Sequence, residues 1–228
     1  MKSLPLVHSS GLALLFFFGF TGELHPADGE TMKLPPPDLN GEVSLEKALA
    51  ERRSIREYST GTLTSGEISQ LLWACQGVTS RNGFRTAPSA GALYPLEVYV
   101  VAGRVSGLEA GIYHYVPGPG IGEHSLELLR RGAFLNDLAD AALGQGCIRG
   151  CAACFVIGTV VARTAAKYGQ RAERYVLIEV GHAAQNLCLQ ATALGIGAVT
   201  VGAFYDSKVK QLLDVGAAPV YLIPVGRR

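Results

Sequence analysis

Glu51-Arg52-Arg53-Ser54-Ile55-Arg56-Glu57-Tyr58 is the stretch on which the reading of this chain turns. Three arginines and a serine fall within five residues of a chain in which only 17% of residues are charged. A guanidinium presents a rigid fork of donors that matches phosphate oxygens, and a serine hydroxyl adds one more. The run is too short for a nucleic-acid tail. Read alone it is equally a solvated basic turn, so the flanking sequence has to decide.

Upstream, Ser44 is placed to cap a short helix with Leu45, Ala48 and Leu49 on one face and Glu46 in its first turn. The C-terminal end of that helix repels anions, so an anion bound at Arg52 must be held by side-chain charge. Downstream, Thr64-Ser65-Gly66-Glu67 is a capping box, and Ile68, Leu71, Leu72 and Cys75 follow at helical spacing up to Gly77. Trp73 falls off that face and is expected to pack on another element or a partner subunit. Residues 79–95 form a loop rich in Gly, Ser and Pro, and loops of this length are usually functional. Strands are expected at 96–102, 111–116 and 125–129, a short helix at 135–143 and a buried strand at 153–161. A short connection over 163–169 carries Lys167-Tyr168. The longest helical pattern, 171–194, is apolar on nearly every side of its middle, which implies burial all round and suggests a dimer core. Gly195 stops it; a strand at 198–201, a helix at 208–213 capped by Asp206 and a strand at 221–225 follow.

The 228 residues suffice for one domain with a real core, and 48% of them are hydrophobic. A net charge of +1 argues against a general nucleic-acid binder but leaves room for one phosphorylated ligand at a local basic cluster. Residues 1–20 carry a lysine and the apolar run 11–20, the length of a signal-peptide core or an anchor. Residues 21–42 read as a proline-containing linker, leaving the folded domain to 43–228. Such a signal would place the protein in a bacterial periplasm or envelope; without it the protein would be cytoplasmic. Five cysteines do not pair off into a disulfide framework. Cys75 and Cys188 read as core residues. Cys147, Cys151 and Cys154 have the C-x3-C-x2-C spacing of an iron–sulfur loop, but Cys154 opens a buried strand, and no metal is expected.

Four stretches in order then resemble one family: Arg52 to Tyr58; Ala87-Pro88-Ser89-Ala90-Gly91-Ala92-Leu93-Tyr94-Pro95; Gly197-Ala198-Val199-Thr200-Val201-Gly202-Ala203-Phe204; and Leu222-Ile223-Pro224-Val225-Gly226-Arg227. Together they are similar to the flavin-dependent nitroreductase superfamily, and the second stretch resembles its SagB/ThcOx-type dehydrogenase branch. The resemblance implies an α+β fold with a mainly antiparallel central sheet flanked by helices. It implies a homodimer with FMN at the interface and the long buried helix at that interface. It implies that Arg52, Arg53, Ser54 and Arg56 take the FMN phosphate and ribityl hydroxyls. By the same resemblance, Pro88, Ser89, Ala90 and Gly91 line the isoalloxazine of the partner subunit's site. Val201, Gly202 and Ala203 approach the flavin ring with a backbone N–H toward N5, and Arg227 returns to the phosphate.

Lys167-Tyr168 also looks like the pair implicated in proton removal in azoline-oxidising members. Dehydrogenation needs a base for one proton, and a lysine desolvated beside a flavin can have its pKa lowered toward neutrality. The expected activity is therefore an FMN-dependent oxidoreductase, working by ping-pong hydride transfer through flavin N5 on a small molecule or a modified peptide. One alternative is a nitroaromatic or quinone reductase with NAD(P)H as co-substrate. Another is a flavin-binding protein without turnover. His182 is expected in the core or an interface and Gln185-Asn186 at an interface, while His114 and His124 have no local partner in the sequence.

Overall fold

Leu96–Ala102 and Ala153–Thr159 are apolar at almost every position, and such runs are stable only with cover on both faces of a sheet. The structure, a computed structural model that describes residues 29–228, places these two runs side by side at the sheet centre. In chain order the elements are β1 (Thr31–Lys33), α1 (Leu45–Glu51), β2 (Leu63–Thr64), α2 (Ser65–Gln76), β3 (Leu96–Ala102), β4 (Val105–Ser106), β5 (Gly111–Val116) and β6 (Ser125–Arg131). Then come α3 (Leu135–Ala141), α4 (Gly146–Arg149), β7 (Ala153–Thr159), α5 (Val161–Tyr168), α6 (Ala172–Ala193), β8 (Ile196–Ala198), α7 (Asp206–Leu213) and β9 (Ala218–Arg227). Seven strands form one sheet in the order β1-β6-β5-β3-β7-β9-β8, with every neighbouring pair antiparallel. β2 and β4 pair in parallel as a small separate ribbon.

The sheet is covered on both sides. On one side Val98, Val100, Phe155 and Ile157 meet Ile68, Leu71 and Leu72 of α2 and Val180, Ala184 and Leu187 of α6. On the other, Val101, Cys154, Val156 and Leu222 meet Leu138 of α3, Ile148 of α4 and Val209 of α7. Fully burying one such large apolar side chain contributes about 1.5–3 kcal/mol. α2 starts on the expected capping box: the Glu67 N–H donates to Thr64 Oγ1 at 3.1 Å and the Thr64 N–H to Glu67 Oε2 at 2.8 Å. Ser44 caps α1 as read, accepting the Lys47 N–H.

Several expectations shift. The stretch read as linker contributes β1, which pairs with β6, and Leu34, which is buried in the core. Three residues are too few for a period-2 pattern to show. The residues read as a signal, 1–20, lie outside those described. Among the described residues no helix is long and apolar enough to cross a membrane. The segment read as a connection before Gly169 is helix α5, and β7 ends at Thr159. Leu45 and Leu49 of α1 stay exposed, and only Ala48 is buried there. α6 spans 22 residues, about 33 Å. Within one chain it is not buried all round, because Leu177 and Ile178 remain 50% and 48% exposed and His182 also faces outward.

Tyr58 fixes the arginine stretch to the sheet. Its hydroxyl lies 2.9 Å from the Ile55 carbonyl and 3.0 Å from the Pro224 carbonyl. Its ring occupies the space that a side chain at Gly226 would fill, where a Cβ would come within 2.7 Å of a ring atom. With the Ile55 side chain it also fills the space at Gly197, where a Cβ would stand 2.8 Å from Ile55 and 3.2 Å from the ring. The Ile55 N–H donates to Ala198 O at 2.9 Å, so the stretch runs beside β8.

His124 closes the other end. Its Nε2–H donates to Pro35 O at 2.8 Å, and its Nδ1 accepts from the Tyr115 hydroxyl at 2.9 Å; the carbonyl, which can only accept, sets this tautomer. Burial holds the imidazole below its ordinary value. In the affected window the unfolded chain binds a proton that the folded chain does not, so stability falls as pH falls. We expect the difference in unfolding free energy between wild type and His124→Asn to be largest above about pH 7 and to shrink as pH drops below about 6.5. Denaturant titrations across that range check it; a pH-independent difference would contradict the neutral-imidazole latch.

Candidate functional site

Alternate residues of an extended stretch share a side, which groups Arg52, Ser54 and Arg56. Ser54 bridges Ala198 of β8 and is exposed. Among the described residues neither the Arg52 nor the Arg56 guanidinium has a hydrogen-bond or ion-pair partner, although both lie near thiols. Arg52 pulls the Cys188 pKa down against burial, and Arg56 does the same at Cys147. Two uncommitted guanidiniums and a hydroxyl are a donor set for a multiply charged oxyanion.

Arg53 is placed differently. Its Nη1 donates to the carbonyls of Ala50 at 3.0 Å and Arg52 at 2.7 Å, where it complements the negative end of α1. Arg227, expected at the phosphate, has its fork on Glu67 instead. Nη1 sits 2.7 Å from Oε1, Nη2 2.8 Å from Oε2, and Nε donates to Thr62 O at 3.0 Å. It ties the end of β9 to the start of α2. The sequence showed the capping role of Glu67 but not that the same carboxylate would also meet Arg227.

Val201 is buried, and its N–H and carbonyl both pair with Leu222. Gly202 and Ala203 are exposed, and among the described residues no hydrogen bond occupies the N–H of either. The Ala203 carbonyl accepts from Gln145 Nε2 at 2.8 Å, which holds the turn. This turn, the arginine stretch and β8 form one cluster.

Pro88, Ser89, Ala90 and Gly91 lie in a second cluster, with Pro88 and Gly91 exposed. Gly91 has φ +65°. A Cβ built there would stand 3.0 Å from Tyr168 Oη and 3.1 Å from Lys167 Nζ, so the Lys-Tyr pair is seated on this glycine. Tyr168 packs edge-on to Tyr175 of α6, with centroids 5.1 Å apart. No hydrogen bond or ion pair among the described residues joins the two clusters. Each rests on α6, which carries Tyr175 near the second and Cys188 near the first; a separation of 13 positions along the helix is about 20 Å.

His114 and His124, without a local partner in sequence, find theirs across strands: His114 Nε2 is 2.7 Å from Glu97 and Nδ1 3.4 Å from Glu127. Asn186 donates to Thr86 O at 3.2 Å, whereas Gln185 is exposed. Trp73 lines a groove of about 320 Å³ between α1, α2 and α6. Cys147, Cys151 and Cys154 are free and buried, and burial pushes the Cys151 thiol up to about 12. Among the described residues no His, Cys, Asp and Glu side chains are grouped to hold a metal ion.

The chain is similar to known proteins. Residues 49–227 match the family model described as the nitroreductase family. A protein of Methanocaldococcus jannaschii named as a nitroreductase, MJ1384, is 45% identical over 200 residues, covering 88% of this chain and 98% of its own. The trifolitoxin operon protein TfxC of Rhizobium leguminosarum is 26% identical; the match covers 84% of this chain and 57% of that protein. A crystal structure of a nitroreductase-named protein from Ralstonia eutropha superposes with a TM-score of 0.73 at 26% identity, covering 89% of this chain and 91% of that one. Another, from Anabaena variabilis, gives 0.73 at 29% identity and covers 87% of this chain but 41% of that one. A family match over nearly all of the described chain, on a fold shared at this level, means that the chain belongs to the nitroreductase family of oxidoreductases.

Proposed function

We propose that this chain is an FMN-dependent oxidoreductase of SagB/ThcOx type that dehydrogenates a small molecule or a modified peptide. The observation that carries the reading is the seating of Lys167 Nζ and Tyr168 Oη on Gly91, at 3.1 and 3.0 Å from where a Cβ would stand. It brings two proton-handling groups onto the backbone turn that the resemblance aims at a flavin. The match to a trifolitoxin operon protein supports the SagB/ThcOx-type reading.

The donor set fits the cofactor. Arg52 and Arg56 would hold its phosphate, with Ser54 beside them, while the free N–H groups of Gly202 and Ala203 would face its ring. Arg53 and Arg227 would support this set from behind through the helix end and Glu67. When bound, FMN supplies the two-electron acceptor. Lys167 and Tyr168 would take the substrate proton and pass it to solvent, for which the exposed lysine is placed. Because no hydrogen bond or ion pair among the described residues joins the two clusters, a homodimer would complete each site, with the apolar outer face of α6 available to the contact.

A second reading, an NAD(P)H-dependent nitroaromatic or quinone reductase, is favoured by the relative at 45% identity that is named as a nitroreductase. Anaerobic addition of NADPH to the flavin-loaded protein separates the two. Rapid bleaching of the flavin absorbance supports the reductase. Bleaching by an azoline-containing peptide, but not by NADPH, supports the dehydrogenase.

Arg52→Ala and Arg56→Ala should each weaken FMN binding about 10- to 100-fold, as expected for loss of a charge-assisted contact, with the unfolding midpoint of the apoprotein unchanged. Fluorescence titration with FMN measures it, and full affinity in both variants would move the phosphate elsewhere.

Lys167→Ala should lower turnover of an azoline-containing peptide about 100-fold with FMN stoichiometry intact. Turnover at the wild-type rate would remove Lys167 from the chemistry.

A further inference from the structure

The turn beneath Lys167 and Tyr168 is strained. Gly91, Ala92 and Tyr94 have φ of +65°, +54° and +45°. Glycine adopts this region freely, but Ala92 and Tyr94 carry a Cβ and do so at a cost that the surroundings must meet. Nothing in the sequence pattern announces what meets it.

Tyr94 is gripped at three points. Its N–H donates to Ser89 Oγ at 2.9 Å. Its carbonyl accepts from Arg163 Nη1 at 3.1 Å. Its ring lies under the Arg85 guanidinium, 4.5 Å from the centroid, within cation–π range. Neither arginine is free to wander. Arg85 Nη1 donates to Gln76 Oε1 at 3.1 Å, and Gln76 is buried. The buried Glu179 of α6 supplies opposite charge nearby. Arg163 pairs through Nη2 with Glu97, which His114 holds from the other side at 2.7 Å. Both arginines, with Gln76, Glu97 and His114, line one small cavity of about 80 Å³. Arg163 also stands four residues before Lys167 on α5, so the two side chains share a helix face.

We propose that Arg85 and Arg163 are positioning residues that clamp Tyr94, one on its ring and one on its carbonyl, and so hold the turn Gly91 to Tyr94, left-handed at every residue but Leu93, against Lys167 and Tyr168. The catalytic side of this rests on reading Lys167 and Tyr168 as the substrate-facing pair; the structural side does not. Arg163 has a double duty, because the helix it bolts to the turn is the one that carries the pair. Loosening either arginine relaxes the turn and lets Gly91 drift from beneath the two side chains.

The test uses the full chain and hydrogen exchange read by mass spectrometry, with and without FMN. In Arg85→Met and in Arg163→Met the amides of residues 90–94 should exchange about tenfold faster than in wild type, while those of β7 keep their rate. Glu97→Gln, which removes the counter-charge of Arg163 without touching it, should give the same signature and serves if Arg163→Met does not fold. In the flavin-loaded variants kcat should fall about tenfold with KM and FMN stoichiometry unchanged. Wild-type exchange in the turn, an equal rise in β7, or a loosened turn with unchanged kcat each overturns the clamp. If wild type takes up no FMN, the proposed function fails by itself, and exchange in the turn still decides whether the two arginines hold it.

Discussion

The seat of Tyr58 on Gly197 and Gly226 is the contact from which the site is built. The ring lies where two side chains would otherwise stand, and the hydroxyl reaches carbonyls on both sides of the seam, Ile55 and Pro224. Burial pushes that hydroxyl's pKa up, so it remains a neutral donor at any ordinary pH. With the ring in place, the Ile55 N–H meets Ala198 O, and the extended stretch lies along β8. Only then do Arg52, Ser54 and Arg56 come into line beside the turn at Gly202. Charges that would be a solvated turn in isolation become a fixed array because an uncharged tyrosine holds their backbone.

A protomer built this way presents two groups of functional residues. One is the arginine stretch with β8 and the turn after Val201; the other is the strained turn at Gly91 with the Lys-Tyr pair above it. α6 lies behind both, and its outer apolar residues, Leu177 and Ile178, stay about half exposed among the described residues. In the proposed homodimer the helix that separates the groups in one chain would bring complementary groups together between two. The sheet supplies the rigidity this needs, since β3 and β7 at its centre are buried on both faces.

Much of this was legible in the sequence. The capping box, the helical spacing of α2, the strand at 96–102 and the buried strand that starts at Ala153 follow from local patterns, and the structure reproduces them. The site stretches were visible as dense or unusual chemistry: guanidiniums in a charge-poor chain, and a glycine and proline loop. What local pattern could not show were the partners that distant residues choose. Arg227 and Arg53 looked like ligand donors, but each has a protein acceptor nearer at hand, Glu67 in one case and the carbonyls at the end of α1 in the other. His114 and His124 found partners only across strands. β1 was too short to declare itself, and α5 was hidden because its apolar face is narrow and it runs on directly from β7. Tyr58 was quoted at the end of the arginine stretch with no role, since its seat consists of two glycines more than a hundred residues away.

The central claim is that each site takes its phosphate-holding half from one chain and its Lys-Tyr half from another. Co-expression of two differently tagged variants, one carrying Arg52→Ala with Arg56→Ala and the other carrying Lys167→Ala, tests it directly. Random pairing puts half the dimers in the mixed form, and each mixed dimer would hold one intact site. The purified mixed dimer should therefore regain about half the turnover of wild type, from parents that are each nearly inactive. Mixed dimers as inactive as their parents would contradict the account.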